Sequence, residues 1–162
     1  MFELMYEHKG IGLAANQVDL PYRLFVTNVE GDPAIKETEH VFINPVLSGA
    51  KGIEEAEEGC LSIPGIQGQV KRAARIAITA YDLEGEEISG LLEGLACRVV
   101  QHEIDHLDGR LFIDRLSATS EMDVREILRE FELQFVSRQR LGEIPPDEVI
   151  IARLAKLEAM RT

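Results

Sequence analysis

The apolar positions change period along the chain, and those changes mark out its elements. Arg75 to Tyr81 alternates, the period of a half-buried strand, and Glu84-Gly85 reads as the turn into a partner strand over 86–90. Upstream, Arg23 to Val29 reads as a strand and Gly31-Asp32-Pro33 as a turn. Val41 to Ile43 reads as a short strand that Asn44-Pro45 closes. Met1 to Lys9 has the pattern of a helix end that Gly10 stops. From Leu91-Leu92 the spacing turns helical through Leu95-Ala96 and Val99-Val100, and Gly109 stands just past the end, where a left-handed cap is wanted. Cys97, Val100, Ile104 and Leu107 give this helix a second apolar face, which predicts burial on most sides. Beyond residue 117, Ser120-x-x-Asp123 reads as a capping start. Val124, Ile127, Leu128, Phe131 and Phe135 then recur at helical spacing. Pro145-Pro146 ends that helix, and Asp147 to Met160 forms another, with Ile150, Leu154 and Leu157 on one side.

These elements predict an α+β fold: antiparallel strands packed around a central helix, followed by C-terminal helices. The organisation divides into a core over 1–117 and a helical extension over 118–162, which either packs back on the same domain or meets a partner.

Composition narrows the class. At 162 residues and 45% apolar content, one domain with a real core is expected. The two cysteines suggest a reducing compartment rather than a disulfide scaffold, and no apolar run approaches membrane-spanning length. A net charge of −12 argues against general nucleic-acid affinity, because backbone binding needs a basic surface.

The chemistry concentrates in three segments. His102-Glu103-Ile104-Asp105-His106 places two imidazoles at i and i+4, on one helix face, where both reach a single metal ion. Glu103 then stands where it can handle the proton of a metal-bound water. A catalytic site needs a third protein ligand. Cys97 lies off the ligand face and reads as a small core residue. Cys60, in the Gly- and Pro-bounded stretch Glu57 to Gly65, has the tight setting that fixes a thiolate. The third segment, Gly10-Ile11-Gly12-Leu13-Ala14-Ala15-Asn16-Gln17, looks like half of a dinucleotide loop. It lacks the third glycine, and a helix precedes it where a strand should. It supplies backbone that a ligand can approach closely and, at Gln17, a carboxamide able to donate to an oxyanion.

In this order, Gly10 to Gln17, Glu58 to Ser62 and His102 to His106 resemble the three motifs of the peptide deformylase family, and the likeness runs from residue 1 to about 117. It makes 1–117 the deformylase catalytic core. The reaction implied is removal of the N-formyl group from the formyl-methionine of new polypeptides, in the cytoplasm. Cys60, His102 and His106 would hold the metal, and a metal-bound hydroxide would attack the formyl carbon with Glu103 as general base. Gln17 and the backbone N–H of Leu61 would face the oxyanion. Iron(II) is the implied ion, with zinc, nickel or cobalt as replacements. The substrate pocket would use Ile11, Gly12, Leu95, Val99 and Glu58, and Glu58 and Arg72 match a carboxylate and an arginine that pair in relatives. An acidic body is compatible with a transient ribosome contact, although no segment specifies the dock.

Three departures accompany the likeness. Arg98 stands beside the pocket where relatives more often carry an apolar residue, and it could line the wall or contact the peptide. Gln67 replaces an arginine that some relatives place near the peptide. Nine residues precede the glycine motif, against several dozen in most members. Either the recorded start is late, or the segment is lost and an apolar patch is exposed where it would dock. A metallopeptidase shares His-Glu-x-x-His but takes its third ligand from His, Glu or Asp, so Cys60 separates the two classes. A non-catalytic binding protein would have no use for Glu103.

Overall fold

Alternation sets the register of the main sheet. β6 (Arg75–Tyr81) turns Ile76, Ile78 and Ala80 inward, and pairing with β3 (His40–Lys51) and β7 (Glu87–Glu93) keeps those three on one face. The computed structural model describes residues 1–160. Five antiparallel strands run in the order β1 (Gly12–Ala14), β2 (Leu24–Thr27), β3, β6, β7. A separate hairpin is formed by β4 (Glu54–Cys60) and β5 (Ile63–Arg72). Four α-helices complete the fold: α1 (Phe2–Glu7), α2 (Gly94–Leu107), α3 (Ala118–Arg140) and α4 (Asp147–Ala159). The α+β architecture, with α2 central and helices at the C-terminal end, is the one expected.

α2 is the organising element. Its Cys97, Val100 and Ile104 bury against Phe25, Phe42, Ile76, Ile78 and Ala80 of the sheet. Gly109 takes a positive φ of 73° just past its end. There the Gly109 N–H bonds to the His106 carbonyl at 3.0 Å and the Arg110 N–H to that of Asp105 at 2.8 Å. This is a Schellman closure, and it pins the last turn, which bears His106. A second cluster joins Ile63, Ile66 and Val70 of β5 to Phe112 and to Val124 of α3. A third ties α1 to the sheet through Met5, Leu13 and Val26.

The structure corrects several boundaries. β3 does not stop at Asn44-Pro45. Asn44 takes a positive φ of 50°, and the register with β6 shifts between Ile43 and Val46, so the missing proline N–H falls in a bulge. Leu91-Leu92 belong to β7 rather than to the helix. α3 begins earlier, with Ser117 as its cap, its Oγ accepting from the Ser120 N–H at 3.2 Å. Lys9, not Gly10, takes the left-handed conformation after α1, with a φ of 57°. Cys60, expected in a tight connection, is the last residue of β4, and the connection itself is only Leu61-Ser62.

The two C-terminal helices differ in attachment. α3 docks its first half on β5 through Val124, Leu128 and Phe131. α4 buries no residue and leaves Val149, Ile151 and Leu154 exposed, and its Arg153 pairs with Asp19. Among the described residues, no helix is long and apolar enough to cross a membrane.

Phe25 is fully buried and stacks on Phe42 at 4.8 Å between ring centroids. Phe25→Ala is expected to lower the unfolding free energy by about 3–5 kcal/mol. Leu91→Ser, on the outer face of β7, is expected to change it by less than about 0.5 kcal/mol. Urea unfolding of the two variants beside wild type checks both.

Candidate active site

β4 and α2 bring three soft or borderline donors to one point. The Cys60 Sγ lies 3.2 Å from His106 Nε2, which lies 3.2 Å from His102 Nε2. All three atoms fall within 4.8 Å of one another. The register of the β4–β5 hairpin shifts between Gly59 and Cys60. That irregularity re-aims the thiol, which also accepts from the Ser62 N–H at 3.4 Å. Neighbouring donors about 3–4 Å apart are what bonds of roughly 2.0–2.3 Å to one zinc-like ion require. The donor set therefore fits a single divalent ion.

Glu58 decides which nitrogen His102 presents. Its Oε1 accepts from Arg72 Nε and Arg98 Nη1, each at 2.6 Å. Its Oε2 lies 2.8 Å from Arg72 Nη2 and 3.0 Å from His102 Nδ1. Four donors thus fill the acceptor positions of one carboxylate. Burial disfavours the Glu58 anion, but His102 and the two guanidiniums outweigh it and hold the carboxyl at about 2. An ionised carboxylate can only accept, so Nδ1 carries a proton and Nε2 is the nitrogen turned toward Cys60 and His106.

The same balance acts on the thiol. Burial raises its pKa, yet hydrogen bonds from His102 and His106 bring Cys60 down to about 5. Burial would lower His102, but Cys60 and Glu58 lift it to about 9. A thiolate–imidazolium pair is the result in the metal-free protein, and a metal ion would take the proton's place.

Glu103, next to His102 on α2, is buried, and its Oε2 has no hydrogen-bond partner among the described residues. Desolvation pushes its carboxyl up to about 8, with a further rise from the Cys60 thiolate and a partial offset from His102. Gly12 leaves room for it: a Cβ there would stand 2.3 Å from Glu103 Oε1 and 3.0 Å from Val99 Cγ1. The glycine motif thus has a packing purpose that its sequence did not reveal.

A cavity of about 600 Å³ opens beside these groups. Ile11, Gly12, Gln17, Glu58, Leu61, Leu95 and Val99 all line it, together with Cys60, His102 and Glu103. Leu95 stands at its mouth, half exposed, and Val99 is buried. Gln17 is held by its own backbone, its Oε1 accepting from the Ala14 N–H at 2.8 Å. Its amide nitrogen donates to Ser62 Oγ at 3.0 Å, with Cys60 Sγ 3.8 Å away. Gln67 lines the wall too.

Arg98 does not reach out to solvent. Besides Glu58, it donates to the carbonyls of Val70 at 3.0 Å and Glu54 at 2.9 Å, clamping the hairpin to α2. Sequence reasoning missed Asp105, Arg115 and Asn16. Asn16 donates to the His106 carbonyl at 2.5 Å, and the other two extend the Glu58 network. Within a helical motif, the intervening residues carry no spacing signal that separates structural from solvated charge.

Comparison with known proteins agrees with this geometry. Residues 1–122 match the family model described as polypeptide deformylase. The chain belongs to the polypeptide deformylase family. A peptide deformylase of Rhodopirellula baltica is 46% identical over all 162 residues, which span 80% of that protein. One of Chromobacterium violaceum is 42% identical over 134 residues, 83% of this chain and 78% of that protein. Among solved structures, peptide deformylase from Plasmodium falciparum superposes with a TM-score of 0.81 at 40% identity, covering 85% of this chain and 80% of that one. Arabidopsis thaliana peptide deformylase 1B gives 0.80 at 38%, covering 91% and 80%. Membership makes the chain an enzyme of the deformylase class, a metal-dependent family, and Cys60, His102 and His106 form a group that could hold a metal ion.

Two outcomes are expected from this deformylase site. Gly12→Ala, by driving the Glu103 carboxylate aside, is expected to lower formate release by at least about tenfold while thermal unfolding stays close to wild type. Acid titration of metal-free protein, followed by thiolate ultraviolet absorbance, is expected to show a midpoint of about 5 that Cys60→Ser removes. Cys97, buried and raised, contributes no thiolate in that range.

Proposed function

We propose that this chain hydrolyses the N-formyl group of formyl-methionine at the start of new polypeptides, releasing formate, in the cytoplasm. One iron(II) ion would be held by Cys60, His102 and His106. The observation that carries the reading is the convergence of those three donors beside a buried carboxylate, Glu103, whose Oε2 has no other partner. A divalent ion supplies positive charge that acidifies a water, polarises the formyl oxygen and draws down the Glu103 carboxyl.

The chain's own groups do the rest. Glu103, in a dry site at one end of the cavity, takes the proton of the attacking water. As the C–N bond breaks, it returns that proton to the leaving amine. The Gln17 amide and the Leu61 N–H are the donors for the developing oxyanion, and loss of one such donor typically costs roughly 3–4 kcal/mol of transition-state stabilisation. The apolar walls formed by Ile11, Leu95 and Val99 suit an unbranched methionine side chain. The peptide would lie as an added strand along the backbone near Gly12 and the turn after Cys60. Acting on nascent chains calls for transient contact with the ribosome.

Support for hydrolysis over mere binding comes from Glu103. A buried carboxyl with an unpartnered oxygen is destabilising and has no role in a module that only holds a ligand. The test is formate release from formyl-Met-Ala-Ser by anaerobically purified, iron-loaded protein. Release is expected to fall by about 100- to 10,000-fold in Glu103→Gln and to stop on chelation. Undiminished release by that variant would overturn the assignment, and reconstitution with zinc, nickel or cobalt ranks the ions.

A further inference from the structure

Asp105 lies inside the histidine motif but faces away from the metal donors. It is buried, and its Oδ2 accepts from Arg72 Nη1 at 2.7 Å, while Arg115 closes on both of its oxygens. Arg72, buried too, donates from Nε and Nη2 to Glu58, and Glu58 holds the Nδ1–H of His102. A continuous series of charged contacts therefore runs Arg115, Asp105, Arg72, Glu58, His102. Both Asp105 and His102 are on α2, while Arg72 ends β5 and Glu58 lies on β4. The series leaves the helix, crosses the hairpin that carries Cys60, and returns to the helix. A planar guanidinium engaged on two carboxylates cannot turn toward one without leaving the other.

We propose that Asp105, backed by Arg115, is a positioning residue for the metal centre: it fixes Arg72, and through Arg72 and Glu58 the ring of His102. The proposal rests on the reading of Cys60, His102 and His106 as metal donors. Its effect is graded, because Arg98 holds Glu58 from the other side. A partner bonded directly to a ligand, as Glu58 is to His102, typically changes metal affinity by about 10- to 100-fold, and Asp105, two contacts further out, changes it less.

Cobalt(II) binding to the full chain, followed by its visible absorption, tests the relay independently of turnover. Asp105→Asn is expected to weaken cobalt binding several-fold, less than the about 10- to 100-fold loss expected of Glu58→Gln, and to shift the bands, since the ligand field reports the orientation of His102. Arg115 stands in the wall of a second cavity, on the opposite side of α2, with its side chain 36% exposed, so Arg115→Gln tests the relay in a chain that keeps its fold. Arg115→Gln is expected to shift the same bands with a smaller loss of affinity. The double variant Asp105→Asn with Glu58→Gln is expected to bind within about twofold of Glu58→Gln alone, because a relay has nothing further to lose once its last member is gone. Losses that multiply would overturn the relay, as would an Arg115→Gln protein with unchanged bands and affinity. Wild type that takes up no cobalt would instead overturn the reading of the metal donors.

Discussion

The Glu58 carboxylate is the constraint on which the centre depends. Four donors saturate it, from His102 and Arg98 on α2 and from Arg72 on β5, so Glu58's own strand β4 is tied to both. One group therefore fixes the hairpin against the helix and the tautomer of a metal ligand at once. A buried ion cluster is weak evidence for stability, since desolvation of the charges offsets most of their attraction. Its worth here lies in specification. Cys60 is the last residue of the strand that carries Glu58, so a carboxylate that cannot move also holds the thiolate within reach of both imidazoles.

The apolar architecture makes that polar cluster possible. α2 uses one face, Cys97, Val100 and Ile104, to bind the five-stranded sheet, and its other face is left for chemistry. The hairpin is held from behind by α3 and Phe112, through Ile63, Ile66 and Val70. Helix and hairpin are thus anchored by separate hydrophobic clusters, and the charged groups lie between two surfaces that are already fixed. Charges set between mobile surfaces would hydrate and rearrange instead of holding a geometry.

Much of this was legible in the sequence. The period of β6, the two faces of α2 and the Gly109 cap are local signals, written in residues that are neighbours on one element. The hairpin was not legible, because Glu54-Glu55-Ala56-Glu57-Glu58 and Gly65-Ile66-Gln67-Gly68-Gln69 carry charge and glycine where strands favour branched and aromatic residues. Its pairing is decided by the buried Arg72 at its end and by packing on α3 and Arg98, the last two distant in sequence. Asn44-Pro45 misled for a related reason: a proline ends a strand only if no bulge absorbs its missing donor. The cluster of Cys60, His102 and His106 was legible by spacing and motif, whereas the packing purpose of Gly12 and the contacts of Asp105 exist only in three dimensions.

Glu103 shows why a site of this kind is built from conflict. The residue sits beside a thiolate and inside an apolar wall, and both disfavour its anion, so its carboxyl rises to about 8. A carboxylate with an ordinary pKa would hold a proton too weakly to return it to a departing amine near neutrality. In the proposed reaction a bound cation would draw that raised affinity back toward the operating pH, where giving and taking a proton are both cheap. Gly12 completes the arrangement, since any side chain there would occupy the volume of the carboxylate oxygen. The fold tolerates an unsatisfied buried oxygen because the hydrophobic clusters on either side of α2 supply the stability that it subtracts.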